Sequence, residues 1–332
     1  MGLFSNDRNF VVTSTRHGTD YVMKTTCRLL ALVAMMPVSA RGPDSSEADL
    51  NKSEPLVIEG KADLTISGLR IANPQGNGIT IRNSKRIRIE DCKIGPCKGE
   101  AVNIYECEGI TVAGNRFEEV STGVYALDSR RIEVTRNRCL NVHGPFPRGQ
   151  LAQFDKVTGG GNRINHNLAL NILGRSHPED VINIYKSGGT PDDPIQVIGN
   201  QIRGGGPSDS GGGIMTGDGG GADIVVRDNI LVDPGQYGIA IAGGHHIQVL
   251  DNKVFGKRQP FTNVGIYVWN QSKAPSGGHT VKGNQVRWFN KAGIENPCWD
   301  AGNCGTVAGW EGNDWHADLD GTILATDLLG RP

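Results

Sequence analysis

Aromatic residues are scarce in this chain, 6% of 332, and neither sign of charge dominates, with 34 Lys and Arg against 35 Asp and Glu. A net charge of −1 gives no basic footprint for nucleic acid, and no polycationic run points to an anionic membrane surface. Past residue 40 no apolar run approaches the ~20 residues of a membrane span, which argues against membrane insertion. There is no pair of CxxC motifs, so nothing suggests structural zinc, and no metal ligand is assigned. What the chain has in excess is glycine. It has 47, without a collagen period, and so it turns often.

A processing signal begins at Met23, reading MKTTCRLLALVAMMPVSA. The basic start (Lys24, Arg28), the apolar run and the small-residue pattern Val38-Ser39-Ala40 have the form of a secretory signal peptide cleaved after Ala40. Residues 1–22 read as an upstream extension, and the protein is expected to be secreted or periplasmic. Removing Arg8, Arg16, Lys24 and Arg28 together with Asp7 and Asp20 leaves 30 basic against 33 acidic residues. Cys27 leaves with the signal. Of the six remaining cysteines, Cys298 and Cys304 are the expected disulfide in an oxidising compartment, and Cys92 and Cys139 fall at inward positions as buried thiols.

From Asp63 onward the chain repeats itself. One element, x-V-x-x-N-x-[IVFL], occurs as ITVAGNRF (110–117), IEVTRNRC (132–139), IQVIGNQI (195–202), IVVRDNIL (224–231), IQVLDNKV (247–254) and TVKGNQV (280–286). IRIEDCKI (87–94) puts Cys92 in the asparagine place, and NRINHNLAL (162–170) is a looser copy. A second element, G-[IV]-x-[IVA], alternates with it as GITI (78–81), GVYA (123–126), GIAI (238–241) and GIYV (265–268). Asn115 and Asn137 lie 22 residues apart. Short β-branched strands, glycine turns and one asparagine per coil at this period resemble the right-handed parallel β-helix of the pectate-lyase-like superfamily. The resemblance implies an all-β, single-stranded solenoid with an internal asparagine ladder and capped ends. The expected divisions are a cap over 41–62, the β-helix over 63–296 and a C-terminal cap over 297–332. Trp299, Trp310 and Trp315 would plug the last coil, and DLDG (318–321) would belong to this cap.

Alternation then sorts the second element into columns. One outward column runs Thr80, Asn103, Tyr125, Gln153, Asn183, Met215, Ala240, Tyr267. The next runs Arg82, Tyr105, Leu127, Asp155, Tyr185, Gly217, Ala242, Trp269. The residue closing each strand runs Asn83, Glu106, Asp128, Lys156, Lys186, Asp218. Five aromatic side chains, Tyr105, Tyr125, Tyr185, Tyr267 and Trp269, are thereby placed outward, a surface suited to the apolar faces of sugars. The longer connections 141–150, 171–180, 187–193 and 204–212 fall on the same coils and would wall the groove. They bring Arg148, Arg175, His177 and Glu179 beside LAQFDK (151–156) and VINIYK (181–186).

Exported β-helices of this kind, the resemblance implies, mostly cleave or remodel polysaccharides, so a polysaccharide or oligosaccharide is the expected partner of a monomeric enzyme. The leading expectation is a lyase that cleaves a uronate polymer by β-elimination. Lys156 or Lys186 would be the base, their repulsion across one coil lowering the pKa of one of them. Tyr185 or His177 would donate the proton, and Arg148, Arg175, Gln153 or Asn183 would hold the uronate carboxylate. Asp128, Lys156, Lys186 and Asp218 alternate in sign, as a merely solvated charge ladder also would. The alternative is a glycoside hydrolase, with Asp155 paired to Asp128, Glu179, Asp180 or Asp218. The polygalacturonase-like pattern is met only by Gly244-His245-His246, and the mannuronan epimerase signature only by the rearranged Ser176-His177-Pro178-Glu179. Calcium is the one cofactor to consider, through Asp155, Glu179, Asp180 and Asp218, whose spacing is not diagnostic. A binding or surface module without acid–base machinery is the third reading.

Overall fold

Strands of alternating burial, cut by left-handed corners, dictate the course of the chain. The computed structural model describes residues 50–329. The extension 1–22, the signal segment 23–40 and Cys27 lie outside the described residues. In Val102–Tyr105 and Ala152–Asp155 the side chains of Val102, Ile104, Ala152 and Phe154 are wholly buried, while their alternates face outward. Each such strand ends on a non-glycine residue in the left-handed region: Asn83, Glu106, Asp128, Lys156 and Lys186 have φ of 47–53°. That corner turns the chain into the next sheet. Its amide reaches the following coil, as Asp128 does to the Asp155 carbonyl (3.0 Å) and Lys156 to that of Tyr185 (3.0 Å).

Three parallel sheets result, two of ten strands and one of nine. The first runs from Asn51–Ser53 to Gln285–Trp288, the second from Leu56–Glu59 to Cys298–Asp300, and the third from Ala62–Ser67 to Thr280–Lys282. Successive strands of one sheet come from successive coils, so the architecture is a parallel β-helix. Stacked isoleucines and valines fill its bore, and burying each contributes about 1.5–3 kcal/mol. Among the described residues no helix is long and apolar enough to cross a membrane.

The asparagine ladder is continuous. From Asn115 through Asn137, Asn167, Asn200, Asn229, Asn252 and Asn284 to Asn313, each amide N–H and each Nδ2 donates to the next Oδ1 at 2.8–3.0 Å. Cys92 ends it by donating its own amide to Asn115 Oδ1 (3.0 Å). A second stack, absent from the sequence reading, follows the left-handed corners. The hydroxyls of Ser84, Ser129 and Ser187 donate to the carbonyl two residues back and accept the amides of Lys61, Cys107 and Val157.

Both ends depart from expectation. The solenoid opens at Asn51 rather than Asp63, because Asn51–Ser53 and Leu56–Glu59 already pair with the next coil and leave no separate cap over 51–62. At the other end Cys298–Asp300 is the last strand of the second sheet. Trp310 and Trp315, with ring centroids 4.8 Å apart, pack against the core, but Trp299 faces outward. The tail then turns back along the first sheet, where the Arg203 guanidinium donates to the Gly321 and Leu324 carbonyls and Arg138 to that of Leu329. Cys298 and Cys304 are free thiols, not a disulfide. Cys298 is fixed in its strand opposite Ile266, while Cys304 is buried and accepts the Ser276 hydroxyl (3.3 Å). Cys92 and Cys139 are buried free thiols, as are Cys97 and Cys107.

Candidate functional site

Strand pairing sets the outward columns of the second sheet. Thr80, Asn103, Tyr125, Gln153, Asn183, Met215, Ala240 and Tyr267 stand opposite one another in that order, and Trp299 continues the file. In the next column Arg82, Tyr105, Leu127, Asp155 and Tyr185 follow as expected, but Tyr185 pairs with Asp218, not Gly217. A bulge in Ile214–Asp218, with Gly217 at φ 66°, adds a residue and re-aims the carboxylate onto the sheet face. Asp155 and Asp218 therefore share one column two strand spacings apart, about 10 Å between Cα atoms.

The two carboxylates sit in different surroundings. Asp155 Oδ2 accepts the Tyr125 hydroxyl at 2.8 Å, and its Oδ1 is buried with no hydrogen-bond partner. Burial, then the bond to Asp155, pushes the Tyr125 hydroxyl up to about 12, so it remains a donor. Asp218 Oδ2 accepts Asn183 Nδ2 at 3.2 Å. Burial raises the Asp218 carboxyl above the ordinary range, opposed by Asn183 and the Lys186 charge and aided by Asp155.

The same Asn183 amide donates to Asp180 Oδ2 at 2.7 Å and so bridges two acids, while its Oδ1 is buried without a partner. Asp180 lies in the loop before the strand and is 5% exposed. Its Oδ1 accepts the Tyr237 hydroxyl and the Gly212 amide. Those donors favour the anion, but desolvation outweighs them and lifts Asp180 to about 7. A folded-state pKa raised above the unfolded value makes a contribution to stability that is full below about pH 4 and lost as pH rises through about 7. The expected result is that the melting temperature of the wild type, less that of Asp180→Asn, falls between pH 4 and 7 and is flat above. Thermal unfolding at a series of pH values reads it, and a constant difference would place the Asp180 pKa elsewhere.

Several expected site residues are placed differently. Tyr125 is 6% and Tyr267 7% exposed, so neither ring is open to a sugar. Arg148, from the 143–151 loop, lies 3.8 Å over the Tyr125 ring and is held by Glu100 (3.0 Å) and Gln153 (3.2 Å). That engagement occupies its guanidinium and the Gln153 carbonyl. Tyr267 packs with Met215, Tyr237, Ala240, Ala242 and Val264 in a small apolar cluster on the outer face. Arg175 is exposed and paired with Glu119 of the first sheet (3.0 Å), away from the groove floor. His177 is exposed, and its amide donates to the Val142 carbonyl (2.9 Å). Glu179 accepts the hydroxyls of Ser208 and Ser210, both at 2.6 Å.

The lysines occupy left-handed corners at the rim. Lys156 is exposed, 3.9 Å from Asp128. Lys186 Nζ lies 4.9 Å above the Tyr185 ring. The expected depression by mutual repulsion is overturned for Lys186: the Tyr185 hydroxyl, then the Asp155 and Asp218 charges, hold its ammonium above the ordinary value. Among the described residues no cluster of His, Cys, Asp and Glu has the arrangement of a metal site. Beyond Asp155, toward the first coil, Glu59, Arg82, Asn83, Asn103, Tyr105, Tyr125 and Leu127 line an open hollow of about 340 Å³.

The chain is a right-handed parallel β-helix, and residues 56–220 match the family model for the right-handed β-helix region. Among solved structures it is similar to a catalytic domain of GH87 α-1,3-glucanase in complex with nigerose, at 12% identity and TM-score 0.46, covering 80% of this chain and 64% of that one. A variant of that domain in complex with tetrasaccharides matches at 12% identity and TM-score 0.45, covering 80% and 65%. A variant tailspike protein of E. coli bacteriophage HK620, in complex with a pentasaccharide, matches at 12% identity and TM-score 0.41, covering 79% and 47%. The chain thus spans less than two thirds of those chains' length. No curated protein matches it.

Proposed function

We propose that this protein is a glycoside hydrolase that cleaves a glycan lying across the outer face of the second sheet, with inversion at the anomeric carbon. The observation that carries this reading is the registered pair Asp155 and Asp218, two strand spacings apart and in unlike environments. Inverting enzymes separate their carboxyl groups by about 6.5–9.5 Å, leaving room for a water, whereas retaining ones stand about 5–5.5 Å apart. Asp218, whose raised carboxyl keeps its proton to higher pH, serves as the acid that protonates the glycosidic oxygen. Asp155, held in the outward column by the Tyr125 hydroxyl, takes the proton of the attacking water. A lysine base is not favoured at Lys186, whose ammonium the Tyr185 hydroxyl holds above its ordinary value. Export of the enzyme is supported by the signal pattern that begins at Met23.

The test is incubation with a panel of neutral and uronate polysaccharides, reading reducing ends, ultraviolet absorbance and the anomer first formed. Reducing ends with inverted configuration and no unsaturated product are expected. An unsaturated uronate would restore the lyase reading, and binding without any new ends would make the protein a carbohydrate-binding module.

A further inference from the structure

Past Asp218 the floor of the groove changes character. The last four strands of the second sheet, Ile214–Asp218, Tyr237–Ile241, Val264–Val268 and Cys298–Asp300, contain no Lys or Arg, and their charged residues are Asp218 and Asp300. The floor is levelled by small residues, Ala240 and Ala242, both buried. Beyond them stand two exposed aromatic residues: Trp269 is 42% and Trp299 46% exposed. Their centroids are 5.8 Å apart at 55°, a tilted pair rather than a parallel stack. They continue a file of rings that starts inside the acid site, because Tyr237, which donates to Asp180, meets Tyr267 at 5.2 Å, and Tyr267 meets Trp299 at 6.4 Å.

By strand pairing Trp269 lies two and Trp299 three spacings beyond Asp218, about 10 and 14 Å. That is the reach of a few linked pyranose units lying along the groove. We infer that Trp269 and Trp299 form a distal subsite of this groove and that it takes a neutral sugar unit. A pyranose offers an apolar C–H face to an indole and keeps its hydroxyls at the edge in water. A uronate placed there would bring its carboxylate beside Asp300, with no Lys or Arg in these four strands to meet it. The inference rests on the hydrolase reading for its direction along the groove, but the binding it describes does not need catalysis.

The experiment uses the full chain and its Trp269→Ala, Trp299→Ala and doubly substituted forms, whose exposed positions leave the core untouched. Each is run in affinity gels containing soluble glucan, galactomannan, polygalacturonate or alginate, and assayed on any polymer cleaved and on its short oligosaccharides. The expected result is retardation by a neutral polymer, weakened about tenfold in the double variant. KM on the polymer should rise similarly, while kcat/KM on the shortest cleaved oligosaccharide is unchanged. Retention unaffected by both substitutions overturns the subsite, as does retardation by uronate polymers alone or by none of the four. So does a tryptophan-dependent dimer in light scattering without change in glycan binding, which would make the patch a contact between copies. A chain that hydrolyses nothing, yet binds neutral glycan through these rings, defeats the hydrolase reading and keeps the subsite. A hydrolase indifferent to both rings does the reverse.

Discussion

Asp155→Asn and Asp218→Asn each lower kcat by about 10³-fold on the glycan the wild type cleaves, the order of loss when one partner of an acid–base pair is removed. The two failures differ in kind. Without the Asp218 proton the departing alkoxide must leave unaided, so an aryl glycoside with an acidic phenol as leaving group loses far less than the natural linkage. Without Asp155 the attacking water keeps its proton. An activated leaving group then gives no relief, but an added small anion such as azide, which needs no base, restores turnover and yields the inverted glycosyl adduct. The alkaline limb of the kcat profile belongs to Asp218 and should vanish in Asp218→Asn, since the raised carboxyl is what stays protonated as pH climbs. Loss under tenfold in either variant, or a retained anomer in the wild-type product, would remove the pair from the chemistry. Circular dichroism separates catalytic loss from unfolding, and both carboxylates lie on the outer face, so the stack should stand.

The outward column from Thr80 to Tyr267 was legible in full because two constraints coincide. A period of two assigns each side chain a face, and the asparagine repeat fixes which residues lie abreast. Where either constraint lapses, the sequence misleads. The run Gly217-Asp218-Gly219 holds one residue more than its neighbours, and only the strand pairing shows that Asp218 and not Gly217 stands beside Tyr185. Asp180, the most deeply desolvated carboxyl of the site, lies in a loop outside the repeat, and alternation says nothing about loops. Tyr125 counted as an open ring until the 143–151 insertion laid Arg148 across it. Trp299 was assigned to a plug because Cys298–Asp300 carries neither repeat element, although its register against Tyr267 makes it part of the groove. The lysines were read as the residues that close their strands, and they do so. Both sit at left-handed corners, where Lys156 is exposed beside Asp128 and Lys186 lies back over the Tyr185 ring.

Asn200→Ala should destabilise the protein by about 3–5 kcal/mol, although the residue touches nothing on the surface. Its Oδ1 accepts both the backbone amide (3.0 Å) and Nδ2 (3.0 Å) of Asn167, and its Nδ2 donates to the Ile164 carbonyl (2.8 Å). Truncation leaves the Asn167 amide without an acceptor and the Ile164 carbonyl without that donor, in a bore where Asn167 and Asn200 are wholly buried. Each orphaned buried group costs about 1–3 kcal/mol, and the cavity adds to it. Asn313→Ala is the internal control. It ends the same ladder but is only half-buried, so water can replace its bonds and the cost should stay near 1 kcal/mol. A solenoid is held coil to coil, and a break at Asn200 falls mid-stack. The denaturation curve of that variant should therefore broaden or split as the two halves unfold separately. Urea unfolding followed by circular dichroism measures both effects. Equal small losses at the two positions would mean that the asparagines follow the fold, and that the packed isoleucines and valines alone keep the coils in register.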